Sequence, residues 1–129
     1  MAELLRSART IAVVGLSANP ARASNSVAAY LVRNGYDLVG VNPAVSGPVD
    51  GIPMVADLSE LTEPPDIVDV FRRAEHTPEV VKAAVELGAG AVWLQLGISS
   101  AESAAIAREA GVPYVENRCI KIDHARLLA

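Results

Sequence analysis

Five apolar runs alternate along this chain with segments of helical spacing, and that alternation leaves few folds open. Thr10–Gly15 (TIAVVG) is a continuous apolar run closed by glycine, which suits a strand buried on both faces of a parallel sheet. Ser24–Asn34 follows with Val27, Tyr30 and Leu31 on one helical face, and Gly35 stands where a C-terminal cap belongs. Tyr36–Val41 predicts a second strand, stopped at Asn42-Pro43 because proline has no N–H to continue a central strand. Pro43–Pro53 holds three prolines and two glycines and predicts a loop. A short helix over Asp57–Leu61 ends before Pro64-Pro65.

Asp66–Phe71 predicts the third strand. Thr77-Pro78-Glu79 then has the composition of a helix start: threonine to cap, proline in the first turn, an acid beside it. That helix runs to Leu87 and stops at Gly88. Ala91–Leu96 is the fourth strand, and Ser99 or Ser100 caps a helix over Ala101–Ala110 that Gly111 ends. Val112–Val115 is the fifth strand, Asp123–Leu128 a last helical turn, and Glu3–Ala8 a helix before the first strand. Strands separated by helices cannot pair as hairpins. They predict a doubly wound, five-stranded parallel sheet in three α/β/α layers, one domain over residues 1–129.

Composition narrows the function classes. With 51% hydrophobic and 20% charged residues the chain is not a disordered one. Aromatics are only 4%, so the core must be Val, Ile, Leu and Ala, and a stacking platform for single-stranded nucleic acid is not expected. Net charge is -4, with two lysines (Lys82, Lys121) and no basic stripe, which argues against DNA or RNA as a partner. One cysteine, Cys119, allows no intrachain disulfide and no cysteine-rich zinc site, and no metal-ligand spacing stands out. The start, MAELLRSARTIAVVG, lacks a basic segment leading into a long apolar one, and no run reaches the length of a membrane span. The expectation is a cytoplasmic protein with no membrane partner.

In an open doubly wound sheet a ligand sits beyond the carboxyl ends of the strands, so the strand exits are where function should lie. The first exit, Gly15–Ser26, leaves a strand and opens a helix, whose unpaired first-turn N–H groups attract phosphate. Ser17, Asn19, Ser24 and Ser26 either donate to a ligand there or cap the helix, and Arg22 either meets phosphate or lies in solvent. The second exit, Asn42-Pro43, offers a polar group and apolar carbons to a flat base. The third, Phe71–Thr77, sets Phe71 beside Arg72 and Arg73, and either both arginines meet phosphate, or one pairs with Glu75, or the loop is a solvated charged one. The fourth ends in Gly97, where a ligand can approach backbone, while Trp93 reads as core.

Standard nucleotide motifs are absent. G-x-G-x-x-G would need glycines where Ser17 and Pro20 stand, and there is no acid at the end of the second strand and no G-K-[ST]. Cys119 and His124 are the only nucleophile and base that pair by type, and five residues of spacing do not by themselves bring them together. A buried inert thiol is the commoner fate of a single cysteine.

Four stretches carry a family resemblance: IAVVGLSANPARASNSVAAYLVRNGYDLVGVNP, DIVDVFRR, VWLQLGI and ENRCIKIDHARL. Together they resemble the small stand-alone CoA-binding proteins, which are similar to the CoA-binding domain of the succinyl-CoA synthetase alpha subunit without its catalytic partner domain. The resemblance runs from Arg9 to Leu128 and implies a Rossmann-like fold and coenzyme A as ligand. On that basis Gly15, Ser17, Asn19, Arg22 and Ser26 form the nucleotide loop, and Asn42 and Pro43 lie at the adenine side. Phe71 and Arg72 border the phosphates and pantetheine, and Gln95, Gly97 and Ile98 line the pantetheine path. The synthetase's phosphohistidine is not matched, and His124 is not promoted to that role.

The expected function is therefore non-catalytic binding of CoA or an acyl-CoA, with no catalytic residue assigned. At 129 residues the chain has room for the sheet and little else. Two alternatives stand beside it. One is an interaction or regulatory subunit, sensing an NAD-type nucleotide or completing an acyl-CoA ligase with a protein partner, or acting as a homo-oligomer. The other is a thiol-reactive protein that uses Cys119.

Overall fold

The computed structural model describes residues 1–128. Strands β1 (Thr10–Val14), β2 (Asp37–Val41), β3 (Met54–Val55), β4 (Ile67–Val70), β5 (Val92–Leu94) and β6 (Tyr114–Val115) form one sheet in the order β3-β2-β1-β4-β5-β6. Every neighbouring pair is parallel. The helices are α1 (Ala2–Ser7), α2 (Ala23–Arg33), α3 (Thr77–Leu87), α4 (Ala101–Ala110) and α5 (Ile120–Leu127). Among the described residues no helix is long and apolar enough to cross a membrane.

Side-chain alternation along the strands divides the core in two. Ile11, Val13, Ile67 and Trp93 pack with Leu5 of α1, Val27, Ala28 and Leu31 of α2, and Ile120 of α5. Ala12, Val14, Val68, Val70, Val92 and Leu94 pack with Val80, Val81 and Ala84 of α3 and Ala107 of α4. Both faces of the sheet are covered, which is why its strands are mostly apolar, Asp69 of β4 being a buried exception. Each Val, Leu or Ile side chain among them, taken wholly out of water, contributes about 1.5–3 kcal/mol.

The sheet has six strands where five are expected. The extra one, β3, pairs Met54 with Gly40 and Val55 with Val41. Two residues carry no readable period. What admits them is Gly40: a β-carbon there would lie 2.2 Å from the Met54 Sδ, so the missing side chain leaves the space that Met54 fills. The expected helix at Asp57–Leu61 is a single 3-10 turn, Leu58–Glu60, closed by a reciprocal bond pattern between Asp57 and Glu60.

Two helix starts also differ from expectation. Thr77 is not a cap. It is wholly buried, and its hydroxyl donates to the Ala74 carbonyl at 2.8 Å and bonds the Ser103 hydroxyl of α4 at 2.8 Å. A 3-10 turn, Ala74–His76, precedes it and lengthens the β4 exit. At the other end, the expected single turn after Asp123 is a full helix, α5, begun three residues earlier. Arg118 holds it there through two bonds to Asp123, at 2.6 and 2.9 Å.

Candidate functional site: a cleft at the sheet's carboxyl edge

From β1 the chain moves outward through β2 to β3, then returns to the other side of β1 as β4. The connections leaving β1 and β4 therefore part in opposite directions and open a crevice between them. That crevice is a cleft of about 800 Å³, within the usual size of a small-molecule site. Gly15, Ser17 and Arg22 come from the β1 exit, Ala23 and Ser24 from the first turn of α2, and Asn42 from the β2 exit. Phe71, Arg72, Arg73, Ala74 and Glu75 come from the β4 exit, and Gly97 and Ile98 from the β5 exit.

Gly15 shapes the mouth. Its φ is +91°, and a β-carbon there would stand 2.5 Å from the Phe71 carbonyl oxygen. No other residue type lets β1 turn away while lying this close to the β4 exit.

Beyond Gly15 the loop is tied by its own polar groups. The Ser17 N–H donates to the Ser24 hydroxyl at 3.0 Å, and the Asn19 N–H to the Ser17 hydroxyl at 3.0 Å. The Ala21 N–H donates to Asn19 Oδ1 at 3.0 Å. Asn25 Nδ2 donates to the Ser17 carbonyl at 2.9 Å, and Asn42 Nδ2 to the Leu16 carbonyl at 3.1 Å. Asn19, Ser24 and Ser26 each make a local bond in the fold. Asn19 closes a local turn, Ser24 clamps the loop to α2, and the Ser26 hydroxyl donates to the Ala23 carbonyl at 3.1 Å on the exposed side.

Electrostatics favour an anion. Among the described residues Arg22, Arg72 and Arg73 make no ion pair, the four pairs present involving Arg6, His76, Arg118 and Arg126. The first turn of α2 holds no acid, whereas Glu3, Glu79, Glu102 and Asp123 occupy the first turns of the other four helices. The partial positive charge at its start is therefore not offset locally. Glu75 is the one carboxylate in the lining.

Eight of the twelve residues named from the sequence line this cleft: Gly15, Ser17, Arg22, Asn42, Phe71, Arg72, Gly97 and Ile98. Pro43 lies next door, in a hollow of about 240 Å³ with Val41, Asp57, Leu58 and Val80, which shares Arg72 with the main cleft. Asn19 and Ser26 lie outside the lining. Gln95 is 4% exposed, and its Oε1 accepts from the Ile120 N–H at 3.1 Å, so it holds α5 rather than facing the cleft. Arg73, Ala74 and Glu75 join the lining because the 3-10 turn after β4 keeps them at the edge. All three lie in the Phe71–Thr77 exit expected from the sequence, although only Phe71 and Arg72 of that exit are named as ligand contacts there.

The histidine and cysteine near the C-terminus lie elsewhere. The His124 ring is nearly buried, its Nδ1 bonded to the Tyr30 hydroxyl at 2.8 Å, with Tyr36 edge-on at 5.6 Å between centroids. Cys119 precedes α5 and packs partly buried against the core on that side of the sheet. Trp93 is core, as expected, and its Nε1 donates to the Arg118 carbonyl at 2.8 Å. Asp69 of β4 is the anomaly. It is wholly buried, neither carboxylate oxygen has a hydrogen-bond partner among the described residues, and burial pushes its pKa well above the ordinary range.

Comparison with known proteins agrees with this geometry. Residues 9–125 match a family described as a CoA binding domain. The uncharacterized protein YneT of Bacillus subtilis is 37% identical over 123 residues, 95% of this chain and 90% of the relative. A solved structure from Thermus thermophilus superposes with a TM-score of 0.93 at 39% identity, covering 98% of this chain and 95% of that one. A hypothetical protein from Pyrococcus horikoshii OT3 superposes with a TM-score of 0.94 at 36% identity, covering 98% of this chain and 89% of that one. With the match spanning nearly the whole chain, the protein is a member of the CoA-binding domain family.

Proposed function

We propose that the protein binds coenzyme A or an acyl-CoA in the cleft between the β1 and β4 exits, and that it does so as a binding protein rather than as a self-contained catalyst. The observation that carries this is the convergence of three unpaired arginines and an acid-free helix start on one cleft at the sheet's switch point. CoA is a polyanion with an apolar, flexible arm, and such a cleft suits it.

Ser17, Arg22 and the first turn of α2 take the diphosphate, with Arg72 and Arg73 facing the remaining phosphate. The hollow at Pro43, reached past Asn42 and Arg72, takes the adenine. Phe71, Gly97 and Ile98 border the pantetheine arm, and Gln95 supports that border from beneath through Ile120. Charge-assisted bonds to phosphate are the strong contacts in this arrangement. The described lining offers no histidine or thiol beside its single carboxylate, which supports binding over acid–base or nucleophilic chemistry.

Isothermal titration with CoA, NADH and ATP tests the proposal. CoA should bind and release or absorb measurable heat, and NADH should not compete. Binding of NADH with none of CoA sinks it in favour of a nucleotide sensor.

A further inference from the structure

Leu96 is 64% exposed, the most exposed large apolar side chain among the described residues. A single surface leucine is ordinary on a mobile loop. This one stands on a fixed turn whose next two residues, Gly97 and Ile98, line the cleft. The Ile98 N–H donates to the Gln95 carbonyl at 2.9 Å and closes the turn, and Gly97 follows Leu96 with φ +87°. Asn117 clamps the turn from the side. Its Oδ1 accepts from the Gly97 N–H at 2.7 Å, and its own N–H donates to the Ile98 carbonyl at 3.0 Å. To do so Asn117 adopts φ +56°, a left-handed backbone that few residues other than glycine take. The buried Gln95 anchors the turn from below.

The cleft is polar at one end and apolar at the other. Arg22, Arg72 and Arg73 gather at the α2 start and β4 exit, while Gly97 and Ile98 close the β5 side. A ligand with an anionic head and an apolar tail runs from the first to the second. Its chain neighbours aside, nothing lies within 4 Å of where a Gly97 β-carbon would be, so a chain leaving the cleft over that glycine passes beside the residue that follows Leu96.

We propose that Leu96 is a specificity residue, the preset apolar contact for the aliphatic chain of an acyl thioester, so that the site prefers acyl-CoA to free CoA. This rests on the placement of CoA proposed above. Each methylene taken out of water is worth roughly fourfold in affinity.

The test is calorimetric titration of CoA and of hexanoyl-CoA into the protein and into Leu96→Ser, a surface change that leaves the core intact. The unaltered protein should bind hexanoyl-CoA at least about fivefold more tightly than CoA. Leu96→Ser should bring that ratio close to one while CoA affinity stays within about twofold. A ratio near one in the unaltered protein, or an unchanged ratio in the variant, overturns the role of Leu96. Failure of both ligands to bind overturns the placement of CoA itself.

Discussion

Gly15 and Phe71 compete for one position at the head of the cleft: the Phe71 carbonyl oxygen lies 2.5 Å from where a β-carbon on residue 15 would stand. The two exits are drawn this close by the β1–β4 ladder, which continues to the Phe71 N–H donating to the Val14 carbonyl at 2.8 Å. The cleft opens because the chain has no side chain to place there. Gly15→Ala should therefore force β1 and β4 apart at their ends and strain a backbone with positive φ. The expected loss is about 1–3 kcal/mol of stability, read as a lower urea midpoint, together with weaker CoA binding. An unchanged midpoint would show that the contact relaxes without cost.

Arg22, Arg72 and Arg73 are the cations of the proposed site and lie away from the core. Replacing any of them with alanine should weaken CoA binding by roughly tenfold with little change in thermal stability. Binding should also weaken with added salt, and less steeply in the variants than in the parent. Equal salt slopes in all four proteins would remove these arginines from phosphate recognition.

Gln95 should behave differently. Its Oε1 is the partner of the buried Ile120 N–H, so Gln95→Ala leaves that N–H without an acceptor. Stability should fall by about 1–3 kcal/mol in chemical denaturation. In conditions where the variant stays folded, its CoA affinity should drop less than that of Arg72→Ala. A larger binding loss than a stability loss would return Gln95 to the ligand path.

Asp69 sets a pH dependence of definite sign. Burial without a partner raises its pKa well above the ordinary range, so the native state keeps a proton that the unfolded chain releases. Stability from this group is complete below the unfolded value of about 3.9 and declines as pH rises toward the native value. Asp69→Asn removes the titration. Denaturation at pH 4 should give similar stabilities for the two proteins, and at pH 8 the variant should be the more stable. A stability difference between the two proteins that stays the same from pH 8 to pH 4 would show no such proton.

Much of the site was legible because parallel α/β chains signal their edges locally. Gly15, Asn42, Phe71 and Gly97 each follow an apolar run, and a strand exit is where a ligand can reach backbone. Arg22 and Arg72 stood out as cations in those exits. Hydrogen-bond partners were not legible. Ser17, Asn19, Ser24 and Ser26 are all small polar residues in sequence, yet Ser17 and Ser24 line the cleft and Asn19 and Ser26 do not. The four differ in which amide or carbonyl the folded loop places beside them. Arg73 shares that exit with Arg72 in the sequence, and the 3-10 turn that follows it stands at the same edge.

The sequence by itself determined the alternation of strands and helices, the parallel sheet between two helical layers, and the edge at which the cleft lies. These follow from periodicity and from glycine and proline placement, which act over a few residues. Tertiary structure decided the sixth strand, the length of α5 and the fate of each polar side chain. Gln95 is spent on Ile120, twenty-five residues away in the chain, and Asp69 lies buried with no partner at all. Such outcomes depend on which distant groups packing brings within hydrogen-bond reach, and no window along the chain contains them.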